Sequence, residues 1–230
     1  LKKIMSVFIL KTIAIISMLI DHSTAVFVPF TDENYWSYII LRGLGRIAFP
    51  IFAFLIAQGC LYTKNIGKYA LRLVIFALIS ELFYDLALTG EVNFLADTNI
   101  FFALALAVAA IAVYRLLLRP NWEIVAALVV APFAMVAELI SSDYGAFGVI
   151  FIFLLYLANP AIKWRMVVII MLWAIFNYLD HQIFILFCLV PAVLIALHSG
   201  KLGFNHILAK YAFYAFYPAH LAILALLKKI

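Results

Sequence analysis

Ionisable side chains recur within the long apolar runs of this 230-residue chain, and several have helical spacing. Arg42 and Arg46 lie four residues apart, as do Glu81 and Asp85, so each pair shares one face of a helix. On consecutive antiparallel helices the two cations and two anions can neutralise one another. Such a ladder also leaves donors and acceptors around a cavity that could hold a polar acceptor. Asp21 and His22 are adjacent in the outer half of the first apolar segment. Neighbours on a helix stand about 100° apart, so the expected partner of His22 is a carboxylate from another helix: Glu81, Asp85 or Asp143. A histidine held by a carboxylate is the arrangement of a general base. His220 follows Tyr211, Phe213, Tyr214, Phe216, Tyr217 and Pro218, a run that also reads as an interfacial aromatic belt. Tyr214 and Tyr217 share a face, and their hydroxyls can line the same cavity.

These residues need a scaffold, and composition names its solvent. With 69% hydrophobic residues, 12% charged residues and a mean hydropathy of +1.17, too little polar surface remains for a soluble domain. The bilayer is the expected surround, and an ionised group there is costly unless it faces a partner or a wet cavity. At roughly 20 residues per span the chain accommodates about eight to ten helices in a single domain over residues 1–230. The net charge of +5 then reports which loops face inward rather than nucleic-acid binding. Cys60 and Cys188 both lie in apolar runs, which indicates neither a disulfide framework nor a thiolate site, and no metal is expected.

The expected architecture is an all-α polytopic membrane bundle of about nine helices, near residues 4–29, 38–61, 68–88, 99–118, 122–140, 144–158, 163–178, 182–198 and 208–227. Breaks fall at Thr63 to Lys68, Arg119-Pro120-Asn121, Asn159-Pro160 and Ser199-Gly200-Lys201. The Lys2-Lys3 start imitates a signal peptide, but the apolar run is too long and carries Lys11, so it reads as an uncleaved first helix. With the N-terminus in the cytoplasm, the alternate loops hold Lys64, Lys68, Arg72, Arg115, Arg119, Lys163, Arg165, Lys201 and Lys210. The opposite loops and helix ends hold Asp32, Glu33, Glu91, Asp97, Asp143 and Asp180. That segregation obeys the positive-inside rule, with Lys228 and Lys229 out of place at the end. No internal repeat is visible, which weighs against an inverted-repeat transporter using the same buried charges as a relay.

Four blocks are familiar: Leu19-Ile20-Asp21-His22, Leu41 to Phe54 with Gly45-Arg46-Ile47-Ala48-Phe49-Pro50 at its centre, Asp143-Tyr144-Gly145-Ala146-Phe147-Gly148, and Phe213 to His220. Together they resemble the TraX family of bacterial conjugal-transfer proteins over nearly the whole chain. The resemblance implies a multi-pass protein of the bacterial cytoplasmic membrane. It implies acetylation of a pilin N-terminal amine and kinship with transmembrane acyltransferases that act on sugars and polymers. By it His22, with Asp21, holds the place of the catalytic histidine, and Arg42, Arg46, Glu81 and Asp143 fall at matching polar positions. Where the family often has an acidic residue this chain has Gln58, which is assigned no catalytic role. The implied cosubstrate is acetyl-CoA, its nucleotide end held by Lys64, Lys68, Arg72, Arg115, Arg119, Lys163 and Arg165 while the pantetheine arm threads between helices. His22 then deprotonates an amine or hydroxyl or transiently carries the acetyl group, with an arginine stabilising the oxyanion. Asp85, Tyr144, Tyr214, Tyr217 and His220 are expected to contact the acceptor.

Overall fold

The computed structural model describes residues 4–94, 97–159, 164–171, 184–204 and 206–229. The expectations for Lys2, Lys3, Pro160, Lys163 and Asp180, and for much of the helix placed at 163–178, lie outside these residues. The described elements are α1 (Val7–Phe27), α2 (Tyr35–Gly45), α3 (Ala48–Tyr62), α4 (Ile66–Leu88), α5 (Ile100–Leu117), α6 (Glu123–Ala127), α7 (Val130–Leu139) and α8 (Gly145–Leu157). Helix α9 follows over 164–171, then α10 (Phe184–Ala196) and α11 (Ile207–Lys228). Among the described residues there are no strands, only two isolated bridges, Met5 with His198 and Thr98 with Ser142.

Among the described residues, four helical stretches are long and apolar enough to cross a bilayer: Val7–Phe27, Tyr35–Tyr62, Ile100–Leu117 and Tyr211–Lys228. Helices of this length and composition mark a membrane protein. At 23 residues α4 is longer than three of these stretches, but Lys68, Arg72, Glu81 and Asp85 interrupt its hydropathy. At 13 residues α8 is short.

Two stretches expected as single helices are broken, and both breaks have one cause. The helix expected at 38–61 is interrupted at Arg46-Ile47, four residues before Pro50, and that at 122–140 at Leu128-Val129, four residues before Pro132. A proline lacks the N–H that would bond the carbonyl four residues back, and its ring crowds that carbonyl. At the first break the Ser17 hydroxyl of α1 donates to Leu44 O, with Gly45 O 3.2 Å away. Two carbonyls beside the break are thus bonded from a neighbouring helix, which suits an apolar surround. Pro191 and Pro218 lie inside α10 and α11 without a comparable break.

Helix α4 packs between α5 and α11, α8 packs against α3, α5 and α7, and α1 packs against α2 and α3. Leu10, Phe54, Leu73, Ile111, Ile152 and Leu221 are fully buried where these faces meet. One end of the bundle holds the start of α1 and the turn from α3 to α4, with Lys11, Lys64 and Lys68. There the N-terminal segment is tied down by Met5 N to Leu197 O (3.2 Å), Ser199 N to Met5 O (2.7 Å) and Val7 N to Lys201 O (3.0 Å). Lys228, out of place by charge alone, has a local role at the opposite end. Its Nζ donates to Ala87 O (3.0 Å) and Leu88 O (3.3 Å) at the C-terminus of α4, where orphan carbonyls and the helix dipole favour a cation.

Candidate functional site

Asp21 and His22 lie on α1, Arg42 and Arg46 on the last turn of α2 and the kink after it, Asp143 and Tyr144 in the loop ahead of α8, and Tyr217 and His220 on α11. The bundle brings these four segments to one end of a cavity of about 350 Å³. Asp21, His22, Asp143, Tyr144 and Tyr217 line that end directly, while Lys11, Gln58, Tyr62, Thr63 and Arg72 line the other. Between them the wall is apolar, with Phe52, Leu55, Ile56, Leu73 and Leu104. From Val7 to His22, both in the lining, α1 advances about 22 Å.

The ion pairing differs from the ladder expected between α2 and α4. Arg42 Nη1 lies 2.8 Å from Asp21 Oδ1 and 3.4 Å from Asp21 O. Arg46 Nη1 donates to the Tyr144 hydroxyl at 3.2 Å, and its guanidinium lies 5.9 Å from the centre of that ring. Glu81 and Asp85, only 2% and 1% exposed, serve the connection from α4 to α5. Glu81 Oε2 accepts from Asn99 N (3.0 Å) and Asn99 Nδ2 (2.5 Å), and Asn99 Oδ1 in turn accepts from Phe101 N (3.0 Å) to cap α5. Asp85 Oδ2 accepts from Asn93 N at 2.7 Å. The buried Asn99 amide needs an acceptor, which Glu81 supplies, while Asp85 takes the N–H of the exposed Asn93. Neither lines the cavity among the described residues, although Glu81 is electrostatically close to Tyr217.

The partner of His22 is a second histidine rather than the expected carboxylate. His22 Nδ1 and His220 Nε2 are 2.7 Å apart, and His220 Nδ1 lies 2.9 Å from Phe216 O. Both rings are buried, at 8% and 4% exposure. Their planes are within 9° and their centres 5.0 Å apart, too far for face contact, so the rings meet edge to edge. The aromatic run on α11 hid this role, because the i to i−4 bond from His220 to the Phe216 carbonyl requires knowing which way the ring turns.

Tyr144 is held in an unusual pose. Its φ of 64° is left-handed, rare for a bulky side chain and costly unless the surroundings fix it. Its ring stacks on Phe49 with centres 3.9 Å apart, and Asp143 N donates to Thr98 O at 2.8 Å. In this loop burial pushes the Asp143 carboxyl up to about 6, against the opposing pull of Arg46. The same burial pushes the Tyr144 phenol up to about 12. Gly45 allows the approach of α1, since a Cβ there would collide with the Asp21 side chain.

The expected nucleotide-binding cations separate by geometry. Arg72 lines the cavity, and its Nε has no hydrogen-bond partner among the described residues. Arg115 is committed elsewhere: Nε donates to Tyr156 Oη at 2.9 Å, and a terminal amine donates to Cys60 O. Lys64, Lys68 and Arg119 are exposed, and Arg165 is exposed with its guanidinium 5.6 Å from the Trp164 ring centre. Lys11, passed over as a binding residue, lines the cavity and lies 5.2 Å from the centre of the Phe213 ring. Its place one apolar turn inside α1 was the available signal. Tyr214 also lines the cavity, toward the Lys11 end rather than beside His22. Gln58 meets His198 at 3.3 Å.

The model of the family described as TraX protein matches residues 6–228, so it spans every segment that contributes to the cavity. A relative described as "Probable fimbrial assembly protein FimC, serogroup H1", from Dichelobacter nodosus, is 30% identical over 238 residues, covering 95% of this chain and 94% of the relative. No solved structure matches the chain. From the match over nearly its full length, this chain belongs to the TraX family.

Proposed function

We propose that this chain is a membrane-embedded acyltransferase that moves the acetyl group of acetyl-CoA to an amine or hydroxyl, with the N-terminal amine of a pilin as the leading acceptor. The observation that carries the reading is that one continuous cavity has Arg72 and Lys11 at one end and His22, Asp143 and Tyr144 at the other. Kinship with the TraX family supports the reaction, and the name of the Dichelobacter relative supports an acceptor in fimbrial assembly. In this reading the protein lies in the bacterial cytoplasmic membrane with about nine spans and its N-terminus in the cytoplasm. The Arg72 end then opens toward the cytoplasmic acetyl-CoA pool.

Arg72 and Lys11 attract the phosphates at the mouth, and the apolar waist accepts a slender arm while excluding water from the thioester. At about 350 Å³ the cavity is at the small end for ligand sites, which run roughly 300–1,000 Å³, so it suits the arm rather than the whole nucleotide. At the far end the acceptor nitrogen or oxygen attacks the thioester carbonyl carbon while its proton passes to His22. The carbon–sulfur bond then breaks, and the proton is returned to the departing thiolate. Tyr144, whose oxygen accepts from Arg46, is the proposed donor to the developing oxyanion, a bond strengthened by the cation behind it. An ion relay would need polar groups through the waist, which Phe52, Leu55, Ile56, Leu73 and Leu104 do not supply.

The test is transfer of labelled acetyl from acetyl-CoA to a peptide with a pilin N-terminus by purified protein in nanodiscs. Label on the peptide's α-amine is the expected result. Failure to bind acetyl-CoA at any concentration tried would end the acyltransferase reading.

A further inference from the structure

We propose that His220 fixes the tautomer of His22 and thereby selects Nε2 as the basic nitrogen; as a catalytic statement this rests on the acyltransferase reading. The Phe216 carbonyl only accepts, so His220 Nδ1, 2.9 Å away, carries a hydrogen. In a neutral imidazole the other nitrogen is then a lone pair, so His220 Nε2 accepts. His22 Nδ1, 2.7 Å from it, must therefore be the donor. That leaves the lone pair of His22 on Nε2, on a ring whose residue lines the cavity. The edge-to-edge placement, with planes within 9°, puts the donated hydrogen in the plane of the accepting lone pair, the direction a strong bond requires.

His220 is a positioning residue here, since it is not among the residues lining the cavity and acts through the ring in front of it. The histidine does what a buried carboxylate does for other catalytic imidazoles, without adding a negative charge to an apolar interior. Rotation is also restrained on the far side. His220 is parallel to Phe216 within 14°, with ring centres 4.9 Å apart, and meets Tyr217 edge-on at 5.4 Å.

The test reads the tautomer directly by nitrogen NMR of the full chain, labelled with ¹⁵N-histidine in nanodiscs at neutral pH, with His22 assigned by loss of its signals in His22→Gln. Wild type is expected to show His22 protonated at Nδ1, with a coupling across the bond to His220 Nε2. A bare Nδ1 on His22 in wild type overturns the proposal without any variant of His220. In His220→Leu the His22 ring should lose the coupling and shift toward the other tautomer. His220→Gln, whose amide oxygen can still accept, should keep Nδ1 protonated. In the acetyl-transfer assay His220→Leu is expected to lower kcat roughly 10- to 1,000-fold with the KM for acetyl-CoA within about twofold, and His220→Gln to recover most of kcat. Equal losses in the Leu and Gln variants would overturn the positioning role. The NMR result does not depend on turnover, so the tautomer assignment and the acyltransferase reading fail separately.

Discussion

The Arg42 guanidinium pairs with Asp21 across the contact of α1 and α2 at 2.8 Å, and this bond places His22, the next residue of α1. Both side chains are only 21% and 16% exposed, so the pair is partly shielded from solvent. Removing one charge leaves the other poorly compensated. Asp21→Asn is expected to destabilise the protein by about 1–2 kcal/mol, less than the ~3–5 kcal/mol of a fully buried pair, as read by thermal unfolding in detergent. Gly45→Ala, which drives a methyl into the Asp21 side chain, should lower transfer activity about tenfold or more, because catalysis is sensitive to misplacement of about 1 Å. Full activity in Gly45→Ala would show that the placement of Asp21 does not matter.

His22→Gln should reduce acetyl transfer by roughly 10²–10⁴-fold, the usual contribution of a general base, while expression and acetyl-CoA binding persist. Isothermal binding alongside turnover checks both. Retention of most activity would move the base elsewhere.

Arg72 is the cavity-lining arginine at the end facing the proposed cytoplasmic side. Its substitution by Ala is expected to raise the KM for acetyl-CoA about tenfold, with kcat changed less. The exposed Lys64, Lys68 and Arg119 should each tolerate Ala with KM within about twofold. The same rise at every site would mean that diffuse charge, not the cavity mouth, recruits the ligand.

Asp143 has its carboxyl pushed up to about 6, so it gains its charge between pH 5 and 7. If Tyr144 and Arg46 work beside an ionised Asp143, kcat falls on the acid side with a midpoint near 6. In Asp143→Asn that limb should disappear and kcat drop about tenfold. The stability linkage has the opposite sense. A carboxyl whose folded pKa is raised contributes stability that is complete below its unfolded value of 3.8 and lost as pH rises through about 6. Asp143→Asn should therefore unfold at a higher temperature than wild type at pH 8, with the gain shrinking toward pH 4.

Tyr144→Phe removes only the hydroxyl that accepts from Arg46 Nη1 and leaves the stacking on Phe49. A fall in kcat of about 10–100-fold with the thermal midpoint nearly unchanged is expected for an oxyanion donor. Parallel loss of stability would assign the hydroxyl to structure.

Much of the framework was legible because helices are written locally. The apolar runs marked α1, α4, α5, α8 and α11 to within a few residues, but proline position alone does not mark the breaks, since Pro50 and Pro132 interrupt their helices four residues back while Pro191 and Pro218 do not. The pairing of charges was not legible either. Arg42, Arg46, Glu81 and Asp85 have the spacing of two complementary faces, yet each bonds whatever its own helix end presents: Asp21, Tyr144, Asn99 and Asn93. The resemblance to the TraX family named His22 but carried no account of what holds its ring.

Composition and periodicity by themselves determined a helical membrane protein with ionisable groups buried toward one end, since hydropathy and a 3.6-residue repeat depend only on near neighbours along the chain. The tertiary structure decided which groups meet. The rotation of each helix about its axis, the kink at Arg46-Ile47 and the left-handed turn at Tyr144 set contacts between residues as distant as His22 and His220. In an apolar interior each buried polar atom bonds the partner that geometry brings within reach, and that choice appears only when the helices are packed.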